Sequence, residues 1–460
     1  MSRTIDEQKL ADLVANPRPA GSRPAFTMIL PTSPQVPTPN REFLLETPTE
    51  GVSHIATVAK LAGWQVKIRD LRMGEDLEDA CRDAAERGGV LAMPTFIDSF
   101  PVNIRVIERV RQLNPDITVI IGGALVSSLP VPLIKRLQPD YTILGEGEAT
   151  LLELLDHIEA GGSPAGAGEI HGLGVFQGGM VQFTAKRKQL IDLDVLPIPD
   201  LFLFPSVQQN PEIPELGITT SRGCYGRCSF CFLNMHKLSY KSPERFEKEV
   251  ADLVAKHNIK YFYVNDLTFT SDLERTYKIC DVLQKYGLTW TCSTRVEKIQ
   301  PELLAYMHKC GCRDIWYGVE SVDQTVLDLA NKATKVEEIE YAVAETVKAG
   351  IKVAANLIVG LPGESEESLR KMMDFCKKSE VIPISIKYLT PFPGTKIYDM
   401  AVERGYISDH LAYLETLAER KVNDPNDAII NLTDLPEPTL RAAFAELLEI
   451  RAERLKGFTM

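Results

Sequence analysis

The chain has 460 residues, 44% of them apolar and 25% charged, with a formal net charge of −12. That is enough for two or three hydrophobic cores, and the composition excludes a low-complexity or disordered protein. The acidic balance argues against a nucleic-acid or anionic-membrane partner, and no apolar run reaches the length of a bilayer span.

Residues 1–24 read as a polar N-terminal arm with a short helix and no signal-peptide core, so the expected compartment is the cytoplasm. From 25 to 160, the apolar runs FTMILP, QVKIRDL, GVLAMP, TVIIGG and YTILG alternate with segments of helical period such as PVNIRVIERVRQLN. This predicts a Rossmann-like parallel sheet covered by helices on both faces. The loop PTSPQVPTPN lacks the glycine turn a dinucleotide needs, and Gly145-Glu146-Gly147-Glu148 lacks a Walker lysine. His54 falls inside a helical pattern and reads as a packed or surface side chain.

Residues 161–215 read as a hairpin and connector: a turn at Gly178-Gly179, then a proline-rich crossing segment. From 216 to 400, six candidate strands (LGITT, KYFYVN, TWTCST, DIWYGV, KVAANLIVG, IPISIKYL) alternate with helical segments. They predict a partial (β/α)6 TIM-type barrel, with reactive groups at the C-terminal strand ends. Residues 401–460 complete the α/β chain as a helical region.

Six of the nine cysteines, Cys81, Cys280, Cys292, Cys310, Cys312 and Cys376, are scattered, mostly through apolar patterns where a buried free thiol is the ordinary state. Cys224, Cys228 and Cys231 differ. They fall within eight residues, in Ser221-Arg222-Gly223-Cys224-Tyr225-Gly226-Arg227-Cys228-Ser229-Phe230-Cys231, directly after the first strand of the second series. Three soft ligands so close suit an iron–sulfur cluster or zinc. Three cysteines on a four-iron cluster leave one iron open to an outside ligand. A zinc site completed by His236, or three unrelated buried thiols, remain the alternatives at this point. The position on the first β/α loop of a barrel favours a catalytic cluster. Gly223 and Gly226 allow a close wrap, Arg222 and Arg227 offset charge, and Phe230 shields the centre from water.

The pattern Cys-x3-Cys-x2-Cys, with an aromatic residue before the third cysteine, resembles the signature of the radical SAM superfamily. The resemblance implies a 4Fe-4S cluster on Cys224, Cys228 and Cys231, with S-adenosylmethionine (SAM) bound at the open iron and reductively cleaved to a 5′-deoxyadenosyl radical. It extends in order over about Ile218 to Tyr398. It implies SAM contacts at Phe230, at Asn265, Asp266 and Thr268 for the amino-acid end, and at Arg295 for a carboxylate. It implies ribose contacts at Glu320 and Ser321, and an adenine-side turn at Gly360 and Pro362.

The first domain, through PTEGVSHIATVAKLAGWQVKIRD, IIGGALVSSLP and YTILGEGEAT, resembles the cobalamin-binding domain of one subclass of that superfamily. This implies cobalamin contacts at Gly122, Gly123 and Ser127. The chain departs from the cobalt-ligating pattern in having no Asp-x-His-x-x-Gly. The resemblance implies a cobalamin-dependent methyltransferase acting on a small-molecule substrate, supplied with electrons by a donor such as flavodoxin or ferredoxin. The alternatives are transfer of a 3-amino-3-carboxypropyl group without cobalamin, cyclase or rearrangement chemistry, and a non-catalytic zinc-stapled interaction module.

Overall fold

All six residues of β1, Ala25–Leu30, are buried, as a parallel strand covered by helices on both faces must be. In the computed structural model, which describes residues 3–32, 48–232, 235, 237–420, 424–427 and 430–456, β1 lies inside a seven-stranded sheet. The other strands are β2 (Gln65–Asp70), β3 (Val90–Pro94), β4 (Thr118–Gly122), β5 (Tyr141–Ile143), β6 (Leu173–Gln177) and β7 (Met180–Phe183). Their order is β2-β1-β3-β4-β5-β6-β7, parallel through β5 and antiparallel beyond it. The order reverses between β1 and β3, a switch point at which open α/β sheets leave a crevice beyond their strand ends. Most of the loop after β1, including most of PTSPQVPTPN, lies outside the described residues.

The hairpin β6–β7 turns on Gly178 and Gly179, both at positive φ (57° and 78°). The sequence pattern placed it in a connector. In the fold β6 pairs with β5 and extends the first sheet.

The second sheet consists of β8 (Glu215–Ile218), β11 (Tyr261–Val264), β12 (Thr289–Thr294), β13 (Cys312–Glu320), β14 (Lys352–Val359) and β15 (Val381–Tyr388). Every neighbouring pair is parallel, in the order β15-β14-β13-β12-β11-β8, so β8 and β15 are free edges of an unclosed barrel. Helices alternate with the strands for readable reasons. Pro243–His257 starts on the Ser242 cap with proline in its first turn and stops on left-handed Asn258. It buries Phe246, Val250 and Leu253, one stripe of a helix. A short ribbon, β9 (Ser221–Arg222) with β10 (Ser239–Tyr240), follows β8 and has no counterpart among the predicted strands.

The chain divides into two compact units, 1–213 with 409–420, and 214–408 with 421–460. The stretch 401–460, expected as one helical region, is thus shared between them. Helix His410–Ala418 packs on helix Phe100–Leu113 of the first unit, whereas helix Glu437–Leu455 packs on β15 of the second. No helix among the described residues is long and apolar enough to cross a membrane.

Candidate active site

The cysteine loop springs from the C-terminal end of β8 and is fastened on every side. Gly223 has φ +90°, and a Cβ there would lie 2.1 Å from the Lys237 carbonyl oxygen, so only glycine fits. Cys224 N–H donates to Met235 O at 3.2 Å, and the ribbon β9–β10 closes the loop's base. Further along, Ser229 N–H donates to Ala330 O (2.9 Å), Ile397 N–H to Ser229 O (3.2 Å), and Asn331 Nδ2 to Arg227 O (2.6 Å).

Asp266 is buried at the end of β11 and accepts from the backbone N–H and hydroxyl of both Thr220 and Ser221, at 2.6 to 2.9 Å. Two carboxylate oxygens offer about four acceptor positions, and all are used. Asp266, expected at the amino-acid end of SAM, is therefore occupied in holding the approach to the cysteine loop. Arg275 donates to Thr220 O (2.5 Å) and Lys241 O (3.1 Å), adding a second clamp.

Cys224 and Cys228 are half-buried and Cys231 is exposed. Crowding by surrounding protein, then the sulfurs of Cys228 and Cys224, push the Cys231 thiol up to about 11. A bound cationic centre would favour the thiolate form that these surroundings disfavour at Cys231. Gly226 N–H points at Cys224 Sγ (3.3 Å) and Arg295 Nη1 at Cys228 Sγ (3.6 Å), contacts of the kind that stabilise cluster sulfurs. This donor set fits an iron–sulfur cluster. Among the described residues no three His, Cys, Asp or Glu side chains converge as the ligands of a single ion do. A lone zinc would hold its sulfurs roughly 4 Å apart. His236, the fourth ligand of the zinc alternative, lies outside the described residues.

Arg295, expected to meet a carboxylate, is buried and already taken by protein. It donates to Glu297, Lys332 O and Thr334 Oγ1 and lies 5.4 Å from the Tyr225 ring centroid. Burial opposes its charge, but Glu297 and Cys228 outweigh burial and raise its pKa. Burial likewise works against the Glu297 carboxylate, yet Arg295 and Thr334 hold it below the usual range. The pair braces the loop as a charged buttress.

The other predicted residues divide. The Thr268 hydroxyl is buried without a protein partner among the described residues, as is that of Ser229. Asn265 is exposed at the end of β11, its amide so close over Gly217 that a Cβ there would lie 2.5 Å from Nδ2. Phe230 and Pro362 are partly exposed. Ser321 is buried and accepts from Asp323 N–H at 3.3 Å. Glu320 ends β13 at φ +65°, just past a register shift in its pairing with β14. A non-glycine residue held there is a conformation functional sites retain.

Gly360 (φ +97°) donates its N–H to Glu364 Oε2 at 2.7 Å. Glu364 was not among the predicted residues. Burial pushes its carboxyl up to about 8 against the N–H groups of Gly360 and Leu361, and Oε1 has no hydrogen-bond partner among the described residues. Lys332 was missed too, although it is 4% exposed and reaches Glu320. A groove of about 800 Å3 between helices Val336–Lys348 and Glu366–Lys378, lined by Val343, Val347 and Phe375, contains none of the predicted residues.

In the first unit, Gly122, Gly123 and Ser127 do come together at the end of β4. Gly123 has φ +113°, and a Cβ there would lie 2.9 Å from Thr95 O. Ser127 Oγ donates to Gly123 O and accepts from Gly145 N–H, tying the loops after β4 and β5. The glycine cradle beside a switch-point crevice fits a bulky ligand held through backbone and shape. His54 is fully buried, and neither ring nitrogen has a hydrogen-bond partner among the described residues; Glu50 lies 3.5 Å away.

Residues 218–376 match the family model of the radical SAM superfamily, and residues 39–155 match that of the B12 binding domain. An uncharacterized methyltransferase of Pyrococcus horikoshii is 29% identical over 300 residues, 64% of each chain. The cytidylyl-2-hydroxyethylphosphonate methyltransferase of Streptomyces wedmorensis is 24% identical over 439 residues, 82% of each. The anaerobic magnesium-protoporphyrin IX monomethyl ester cyclase of Rubrivivax gelatinosus is 25% identical, covering 80% of this chain and 68% of its own. The chain thus spans just under two thirds of the Pyrococcus relative. The fold matches the radical SAM methyltransferase TsrM of Kitasatospora setae, solved with cobalamin and a [4Fe-4S] cluster, at TM-score 0.69 and 17% identity, covering 83% of this chain and 78% of that one.

Proposed function

From a chain that carries a radical SAM domain behind a B12-binding domain, we propose a cobalamin-dependent methyltransferase acting on a small molecule. The observation that carries the reading is the threefold cysteine loop, pinned to the first strand end of an open parallel barrel in a chain that also has the switch-point sheet. When bound, the cluster would supply the electron for reductive cleavage of SAM, and cobalamin would supply the methyl carrier.

The protein's own residues have separable tasks. Cys224, Cys228 and Cys231 hold the cluster, and Gly226 N–H and Arg295 face its sulfurs. Thr268 and Ser229 offer buried hydroxyls to SAM, and Glu320 offers a carboxylate to its ribose. Asp266, Arg275 and the Arg295–Glu297 pair fix the loop so that these groups need not reorganise. Gly122 and Gly123 line the cobalamin side, with Ser127 holding their loop. The reading requires a reductant of the flavodoxin or ferredoxin class. It also fits the cytoplasm, where nine free cysteines stay reduced.

The test is anaerobic reconstitution followed by gel filtration, with cobalamin and iron read by absorbance and the nucleoside product by chromatography. Stoichiometric cobalamin and 5′-deoxyadenosine support methyl transfer. Methylthioadenosine without cobalamin would instead mean aminocarboxypropyl transfer. A cyclase is the second reading, favoured by the Rubrivivax relative. It predicts 5′-deoxyadenosine with no methyl group moved.

A further inference from the structure

The outer surface of the cysteine loop carries charge of the opposite sign to the chain as a whole. Tyr225, next to Cys224, is 40% exposed. Its ring lies 5.4 Å from the Arg295 guanidinium and 5.9 Å from Lys298 Nζ, and its hydroxyl donates to Glu297 Oε2 at 3.4 Å. Arg227, in the same loop, is exposed, and its carbonyl is tied to Asn331. Lys335 is exposed a few residues on, held near the loop because the adjoining Thr334 bonds to both Arg295 and Glu297. Lys237 is exposed as well, and its carbonyl closes over Gly223.

Several exposed lysines elsewhere on the barrel helices have a counter-ion one turn away, as in Asp252–Lys256, Glu274–Lys278 and Asp374–Lys378. Around the cysteine loop, Arg227, Lys298 and Lys335 form no ion pair among the described residues. Of the adjacent acids, Glu297 is spent on Arg295 and Glu338 accepts the Lys335 N–H at 2.8 Å, while Glu337 stays exposed. The balance is a positive face on a chain of net charge −12, with an exposed tyrosine among the cations. Its self-repulsion is relieved by an acidic partner, and tyrosine and arginine are side chains that interfaces favour.

We propose that this face docks an acidic one-electron carrier protein. The proposal rests on the radical SAM reading, which requires a reductant and leaves open where it binds. Electron transfer weakens steeply with distance, so the carrier must seat close to the cysteines. Tyr225 and Arg227 are the exposed side chains between Cys224 and Cys228, which puts the face within the loop itself. Redox encounters bury little area, so charge complementarity can supply most of the recognition. The carrier gives up one electron to the cluster, and no bond forms or breaks.

The experiment measures equilibrium binding of oxidised flavodoxin, an acidic carrier, to the cluster-reconstituted protein at low and high salt. The rate at which flavodoxin hydroquinone reduces the iron is followed alongside. Two double variants with the same change in net charge are compared. Lys298→Glu with Lys335→Glu reverses the face. Lys309→Glu with Lys348→Glu reverses exposed lysines in the last turns of helices Pro301–Lys309 and Val336–Lys348. At low salt the first pair should weaken binding about tenfold or more and slow reduction to match, a difference that shrinks at high salt. The second pair should stay within about twofold of wild type. Iron content and the endpoint of dithionite reduction should be unchanged in both. Equal weakening by the two pairs, no effect of the first, or no binding of flavodoxin by wild type overturns the proposal. A wild type that takes up no iron refutes the radical SAM reading itself, and the proposal falls with it.

Discussion

The two parallel sheets end in different chemistry. At the strand ends of the second, charged side chains tie loop to loop: Asp266, Arg275, and Arg295 with Glu297. At the corresponding ends of the first, the ties run through backbone and hydroxyl groups, among Thr95, Gly122, Gly123, Ser127 and Gly145. A site that must hold a polyanionic centre and a zwitterion at fixed distances needs preorganised charge. A site for a large macrocycle can rely on shape and close backbone approach. Recognition by charge leaves a trace in residue type, whereas recognition by shape leaves little beyond glycine.

Four substitutions break or sharpen this contrast. The largest effect belongs to Cys224, Cys228 and Cys231 replaced together by alanine: iron and SAM cleavage should both be lost, with cobalamin retention intact. Retained iron would sink the cluster assignment.

Asp266→Ala comes next. Removing a buried acceptor of four hydrogen bonds should cost about 3 kcal/mol or more, read as a lower midpoint in denaturant together with reduced iron loading.

Glu364→Gln should act in the opposite direction. Its carboxyl titrates at about 8 in the fold, well above an ordinary glutamate. The folded state therefore keeps a proton that the unfolded state gives up, and stability falls as pH rises from about 4.5 to about 8. The glutamine variant should lose that slope and gain roughly 3 kcal/mol at pH 7, measured by urea unfolding across that window. Parallel pH profiles would refute the buried neutral carboxyl.

Gly123→Ala has the smallest expected effect, about 1–3 kcal/mol from the forced φ and the approach to Thr95. It should weaken cobalamin retention and leave iron unchanged, the mirror image of the cysteine variant.

The sequence made the architecture legible because buried parallel strands are short apolar runs: the strands predicted around FTMILP and KVAANLIVG correspond to β1 and β14. The β9–β10 ribbon was not legible, since two residues per strand leave no periodicity. In the site, cysteine spacing spoke for itself. Lys332 did not, because a lysine between Asn331 and Ala333 looks like any solvated loop. Only the fold, by forcing left-handed neighbours and an open Gly318, turns it inward. Asp266 and Arg295 were visible as charged residues at strand ends, but whether such a residue faces a ligand or a neighbouring loop depends on contacts distant in sequence. Glu364 was in plain view in the Gly-Leu-Pro-Gly turn. Nothing local showed that its carboxyl would be sealed away from water.

Helix His410–Ala418 carries a consequence for modularity. It buries Leu414, Leu417 and Ala418 and lies against Phe100–Leu113, although nearly two hundred residues of the other unit separate it from the rest of its own. Exchanging the first unit with that of a relative by swapping a single N-terminal stretch would leave this patch without its cover. Functional chimaeras should therefore need three crossover points, one before the barrel and one on either side of the short helix, and a recombination map of the family would show that helix travelling with the distant N-terminal sheet.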